Sequence, residues 1–140
     1  MSRILMTALL MCPFLLPTLV EAQHRERLHD EWTYSGNYAW NPSWNQRPFP
    51  RSGACFFKNA DYNGDRFCVR EGDRLDHLPG NFGDNISSVK LLGRARAVVF
   101  NDRNFSGGSQ EFNASIQDLR NRRFKDGHTW NNRISSIVVR

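Results

Sequence analysis

Phe57-Lys-Asn-Ala-Asp-Tyr62-Asn-Gly64 and, 43 positions later, Phe100-Asn-Asp-Arg-Asn-Phe105-Ser-Gly107 share one spacing: aromatic, four residues, aromatic, one residue, glycine. A second word follows each in the same order. Phe82-Gly-Asp-Asn-Ile86-Ser87-Ser88-Val89 matches Trp130-Asn-Asn-Arg-Ile134-Ser135-Ser136-Ile137. Such self-similarity dictates architecture, because each copy is a unit that buries its apolar face only against its neighbour. Phe57 to Ile86 spans 29 positions and Phe100 to Ile134 spans 34, so the second copy carries five extra residues near Asn121 to His128. Insertions collect in surface loops, which also carry function, and this segment is a candidate functional loop.

Around these words the chain alternates short β-branched and aromatic runs with turn residues, the pattern of an all-β sandwich. The expected strands are Ala54 to Asn59, Arg66 to Arg70, Ile86 to Leu92, Arg96 to Asn101, Ser109 to Asn113 and Arg133 to Val139. Asn63-Gly64 favours a tight turn with positive φ between the first two. Only Ser115 to Arg120 has a weak helical look.

Upstream, residues 23–52 hold one branched aliphatic, Leu28, among Trp32, Tyr34, Tyr38, Trp40, Trp44 and Phe49. Such a stretch cannot close a core alone. Pro42, Pro48 and Pro50 favour extended backbone, so it is either an irregular leader or a strap laid over the folded part by its rings. Aromatic faces could also stack on sugar or nucleobase rings.

Residues 1–22 read as a signal peptide: Arg3, an apolar stretch from Ile4 to Val20, and a Val20-Glu21-Ala22 exit. The stretch is shorter than the roughly 20 residues that cross a bilayer, and Pro13 and Pro17 interrupt it. The expected product is secreted, extracellular or periplasmic, without a membrane partner after cleavage. Its domain plan is 1–22 signal peptide, 23–52 leader and 53–140 folded domain. Cleavage removes Cys12 and leaves Cys55 and Cys68, for which an oxidising compartment makes a disulfide the default. A thiol nucleophile or a metal ligand is the alternative.

The 140 residues carry 19 basic and 14 acidic groups, a net charge of +5. Spread over a whole surface this favours solubility and does not by itself imply nucleic acid. The densest basic run, Arg120, Arg122, Arg123 and Lys125, has a phosphate-binding reading beside the plainer one of a solvated face. No metalloprotease, nucleophile-elbow, P-loop or dinucleotide word occurs, and a His77–His128 meeting would be the one route to a catalytic centre. Enzymatic activity is not expected. Asn85, Asn104 and Asn113 begin N-x-S words, which matter only where the source glycosylates proteins.

With both corners and both serine words in place, the sequence resembles the βγ-crystallin superfamily, whose domain packs two successive Greek-key motifs as one sandwich. The resemblance covers Gly53 to Arg140 and implies Greek keys at about 53–93 and 94–140. It makes Phe57, Tyr62, Gly64, Phe100, Phe105 and Gly107 structural corners, the glycines at a fold-over that a Cβ would obstruct. Calcium-binding members carry N/D-N/D-x-x-S/T-S once per repeat. Asn131-Asn132-Arg133-Ile134-Ser135-Ser136 matches fully, whereas Gly83-Asp84-Asn85-Ile86-Ser87-Ser88 lacks the opening Asn or Asp. The resemblance implies one site from Asp84, the Asn85 carbonyl and Ser135, and another from Asn132, the Arg133 carbonyl and Ser87. Calcium takes hard oxygens, and so few carboxylates imply weak binding, about 10⁻⁵ to 10⁻³ M. The plainer reading is that Asn and Ser cap turns feeding a core strand.

Within the superfamily, Gly53-Ala-Cys-Phe-Phe57 and Asp65-Arg-Phe-Cys68-Val-Arg-Glu71 are similar to the secreted bacterial metalloproteinase inhibitors of βγ-crystallin fold. The resemblance implies a peptidase inhibitor, acting as a monomer on an extracellular protease. It names no reactive residue; the loops after Arg70 and Arg120 are candidates by exposure. A calcium-stabilised structural or stress module, and a cationic binder of glycan or nucleic acid, are the competing expectations.

Overall fold

The computed structural model describes residues 39–140. The expected signal peptide and the leader rings Trp32, Tyr34 and Tyr38 lie outside the described residues. Within them the chain is all-β: β1 Gly53–Asn59, β2 Asn63–Arg70, β3 Arg74–Leu75, β4 Ser88–Leu92, β5 Ala97–Phe100, β6 Ser109–Phe112 and β7 Ser136–Val139, with short 3₁₀ turns at Pro42–Gln46 and Leu119–Asn121. One sheet runs β2-β1-β4 and the other β3-β7-β5-β6.

The order records a swap. β3 leaves the first repeat to pair with β7 of the second. Reciprocally, Ile116 bridges Val89 on β4 of the first repeat. Leu75 opposes Ile137 as Ile116 opposes Val89, so the repeats exchange equivalent segments about a pseudo-twofold axis. Each Greek key thus completes the other's sheet, which is why neither buries its apolar face alone. Phe56, Phe67, Phe82, Val89, Trp130, Ile134 and Ile137 fill the shared interior. Truncating a buried ring of this kind costs about 3–5 kcal/mol.

The corners are near copies. Gly64 has φ of 82° and Gly107 of 78°, while Asp61 and Tyr62 (59° and 58°) match Asn104 and Phe105 (58° and 56°). Left-handed backbone costs a side-chain-bearing residue about 1–2 kcal/mol, and the same device offsets it in both halves. Tyr62 N donates to Ser88 Oγ (3.1 Å), which donates to the Asn59 carbonyl (2.6 Å). Phe105 N donates to Ser136 Oγ (3.0 Å), which donates to the Asp102 carbonyl (2.6 Å). Ring pairs Phe57–Tyr62 and Phe100–Phe105 meet edge-on at 5.8 and 5.9 Å. A Cβ on Gly64 would stand 2.7 Å from Asn59 Nδ2.

Several boundaries differ from the sequence reading. The turn before β2 takes positive φ at Asp61, Tyr62 and Gly64, while Asn63 already pairs with Asn59. β4 begins at Ser88 rather than Ile86, because Ile86 O accepts from Asn132 N and Ser87 O from Leu119 N. β7 likewise begins at Ser136, since Ile134 O accepts from Asp84 N and Ser135 N reaches Phe100 O. All of these except the Ser135–Phe100 bond, which lies within the second repeat, join the two repeats instead of extending a ladder. The helical look of Ser115 to Arg120 reduces to the turn at Leu119–Asn121, capped by Asp118. Two-residue β3 escaped notice because its partner lies more than 60 positions away.

Of the two readings of the leader, the described part is a strap. Trp40 packs against Phe82 and donates its indole N–H to Arg66 O. Asn45 Oδ1 accepts from Arg66 N, and the nearly buried Arg66 guanidinium donates to the Asn45 and Arg47 carbonyls beneath the Phe49 ring.

Candidate functional site

The two serine words lie back to back across the pseudo-twofold axis. Asp84 N donates to Ile134 O (3.3 Å) and Asn132 N to Ile86 O (2.9 Å). Asp84 and Asn132, the second residue of each word, are both left-handed (φ 54° and 56°), a conformation Asp and Asn tolerate better than most.

The crossed pair expected for the first site is present: Ser135 Oγ donates to Asp84 Oδ1 at 3.1 Å. Asp84 lines an open concavity of about 470 Å³ with Asn101, Asp102, Asn131, Asn132 and Arg133. Asn85 lies exposed beside it, its amide on the Asn81 carbonyl. Ser87, from the other expected set, lines a separate concavity of about 200 Å³ with Asn59, Ala60, Arg120 and Asn131. Its expected companions Asn132 and Arg133 line the first concavity instead. Arg133 Nη2 reaches His128 Nδ1 at 3.0 Å. Asp102 was missed by the sequence reading, which named Asn131 in the serine word and Arg120 in the basic run without assigning either to a concavity. Asp102 follows its corner ring by two positions as Asn59 follows Phe57, a signal visible in the repeat.

The first concavity offers the carboxylates of Asp84 and Asp102 and amide oxygens, with the Ser135 hydroxyl bonded to Asp84. Asn131 Oδ1 is buried without a hydrogen-bond partner among the described residues. These donors are hard oxygens and fit calcium in kind. Among the described residues no group of three or more His, Cys, Asp and Glu could hold a metal, so the charge available is small.

The five-residue insertion forms a hairpin. Arg123 bridges Thr129, Phe124 N donates to His128 O (2.8 Å) and Trp130 N to Arg122 O (2.9 Å). Phe124 packs edge-on against buried Trp130, with ring centres 4.6 Å apart. That anchor leaves Arg122, Arg123 and Lys125 to His128 exposed. Arg120 at its base grips Asp118 through three contacts of 2.6–3.0 Å. Those bonds hold the Asp118 carboxyl below its usual range and raise the Arg120 guanidinium. The loop after Arg70 is shorter, and backbone bonds from Glu71 N to Ser52 O and Gly72 N to Val139 O pin it. His77 bonds Asp76 and His128 bonds Arg133.

Cys55 and Cys68 form a disulfide between directly opposed positions of β1 and β2, Cα atoms 4.0 Å apart. In the second repeat Val98 opposes Glu111 in the same register, and Glu111 pairs with Arg96 and Arg140.

The swapped sheets and paired corners define a βγ-crystallin domain. Three solved structures share this fold: a βγ-crystallin domain from Flavobacterium johnsoniae (27% identity, 62% of this chain and 92% of that one, TM-score 0.51), a domain solved under the heading of the evolution of the eye lens βγ-crystallin domain fold (23%, 67% and 91%, 0.55), and a βγ-crystallin domain of Abundant Perithecial Protein from Neurospora crassa in the Ca²⁺-bound form (18%, 66% and 92%, 0.50). More particularly, residues 45–112 match the model of peptidase inhibitor family I36. That stretch takes in most of the strap, the first Greek key and the opening of the second, so the likeness carried by Gly53 to Phe57 and Asp65 to Glu71 is borne out. The match and the fold point to a non-enzyme. No curated relative matches the chain.

Proposed function

We propose that this chain is a secreted peptidase inhibitor that blocks an extracellular protease with the hairpin around Arg122 to His128. The match to peptidase inhibitor family I36 supports the class, and the export signal read in residues 1–22 supports the compartment. A single observation carries the choice of loop: the hairpin projects six exposed residues from a base fixed by Phe124 on Trp130. An inhibitor gains from a loop already ordered before binding, because little entropy is then lost on association. The pinned loop after Arg70 exposes only Glu71 and Gly72 of that turn, too few to fill a protease cleft. The test replaces the exposed Arg122, Arg123, Lys125, Asp126 and His128 by Ser and keeps Phe124 on Trp130. Inhibition should fall at least 100-fold with melting little changed. Full inhibition by that variant, with loss in a Glu71→Ala, Gly72→Ala variant, moves the site to the first repeat.

A second reading, calcium as a structural ligand, is favoured by the first concavity. Asp84, Asp102, Ser135 and Asn131 would hold the ion and tie the two Greek keys together. Calcium would supply cross-linking charge there. Melting with and without millimolar calcium tests it, and identical curves remove it.

A further inference from the structure

Ala54 and Phe56 face the shared interior, so alternation along β1 turns Cys55 and Phe57 to the opposite face of the sheet. There they form a second apolar cluster with Cys68, against which Tyr62 and Leu92 pack. Cys55 and Cys68 are only 0% and 1% exposed. Two cations are set into this cluster. Arg66 Nη1 donates to Cys68 Sγ at 3.2 Å. Lys90 opposes Cys55 across the β1–β4 pair, which puts both side chains on one face. The Lys90 ammonium meets the Phe49 and Tyr62 rings at 5.0 and 5.6 Å, and among the described residues no carboxylate pairs with it.

Phe49 of the strap, 45% exposed, roofs this face. Its ring reaches from Arg66 on β2 (4.4 Å) to Lys90 on β4 (5.0 Å), and β1 with Cys55 runs between those strands. The second repeat shows that the fold does not require either cation. Ser109 stands 43 positions after Arg66, and Val138 opposes Val98 as Lys90 opposes Cys55. Cations and cysteines occur together in one repeat and are both missing at those places in the other.

We propose that Cys55–Cys68 is a reducible redox site for small thiols and dithiols, attacked at Cys55 and shielded by Phe49. A donor aimed at sulfur stabilises the thiolate, whereas apolar surroundings disfavour it, so Cys68 is the better leaving group and Cys55 the sulfur attacked. Attack runs along the S–S axis. A thiolate aimed at Cys55 therefore comes from the β4 side, where Lys90 attracts it. The incoming thiolate bonds to Cys55 Sγ, the disulfide breaks, and its electron pair leaves on Cys68 beside Arg66. The second thiol of a dithiol, deprotonated, then attacks its own sulfur in the mixed disulfide and frees Cys55 as a thiolate, which takes up a proton. The protein gains two electrons, and the dithiol is oxidised to a cyclic disulfide.

The purified, oxidised chain tests this with glutathione and dithiothreitol as reductants. Glutathione followed by alkylation and peptide mapping should find the mixed disulfide on Cys55. Phe49→Ala should speed reduction by dithiothreitol about tenfold, since access limits attack on a buried bond. In the reduced chain Cys68 should alkylate with a pH midpoint below the ordinary thiol value of about 8.5, and Arg66→Gln should return it there. Lys90→Gln leaves the strap's hydrogen bonds alone. It should slow attack by glutathione about threefold in low salt, and the difference should close at about 1 M salt. A mixed disulfide on Cys68, or on both cysteines alike, overturns the direction of attack. An ordinary pH midpoint at Cys68, or a bond no more reducible in Phe49→Ala than in the wild type, overturns the site and leaves an inert cross-link. If Arg66→Gln does not fold, the wild-type midpoint and Lys90→Gln still decide.

Discussion

Ser135 donates its hydroxyl to the Asp84 carboxylate at 3.1 Å, across 51 positions of sequence, and so joins the serine word of one Greek key to that of the other. An ion held there bridges both repeats and resists their separation. Calcium at 100 times its dissociation constant should stabilise the fold by about 2.7 kcal/mol. Ser135→Ala should shrink that gain in calcium-dependent melting, and an undiminished gain would place the ion elsewhere.

The corner serines should be costly to remove. Ser88→Ala leaves the Tyr62 N–H and the Asn59 carbonyl without their shared partner in a fully buried position. Unsatisfied buried polar groups cost about 1–3 kcal/mol. Ser136→Ala should cost about the same, since it serves Phe105 and Asp102 alike. Denaturant unfolding measures both, and a large inequality would contradict the equivalence of the corners.

Reduction of Cys55–Cys68 should lower stability by about 3 kcal/mol, the loop-closure value for about 14 residues. The opposed pair Val98 and Glu111 offers the same register in the second repeat. Val98→Cys with Glu111→Cys should therefore oxidise to a second bridge. Free-thiol counting on the folded variant decides, and two persistent thiols would contradict the register.

Acid should loosen the base of the hairpin late. Hydrogen bonds from the Arg120 side chain, then its backbone N–H, lower the Asp118 pKa in the folded state. A lowered carboxyl stabilises the fold above its unfolded pKa, and the contribution is lost as pH falls through the folded value. The window thus lies at and below the ordinary 3.8 of Asp. Glu111, lowered first by its Arg140 hydrogen bond, behaves likewise. Carboxyl titration by NMR should find both depressed, and Arg120→Ala should return Asp118 alone toward its ordinary value.

The fold was legible because its signals are local. A ring, a second ring and a glycine at set spacing mark each corner, and repetition supplies the symmetry. What escaped is non-local: β3 pairs with a strand more than 60 positions away, and the ends of β4 and β7 are set by backbone bonds between repeats. The strap was legible as aromatic, with attachment one of two open readings, since Arg66, which receives it, reads as an ordinary charged strand residue. At the serine words the motif named Asp84, Ser87, Asn132 and Ser135, while tertiary packing decided which concavity each one lines. Arg120 belonged to a basic run in sequence and to a serine word's concavity in space.

The most direct measurement is titration of a panel of metallo- and serine proteases with the intact, folded chain, with and without calcium. Stoichiometric one-to-one loss of activity in at least one protease is the predicted result. A panel left untouched in both conditions would contradict the inhibitor account.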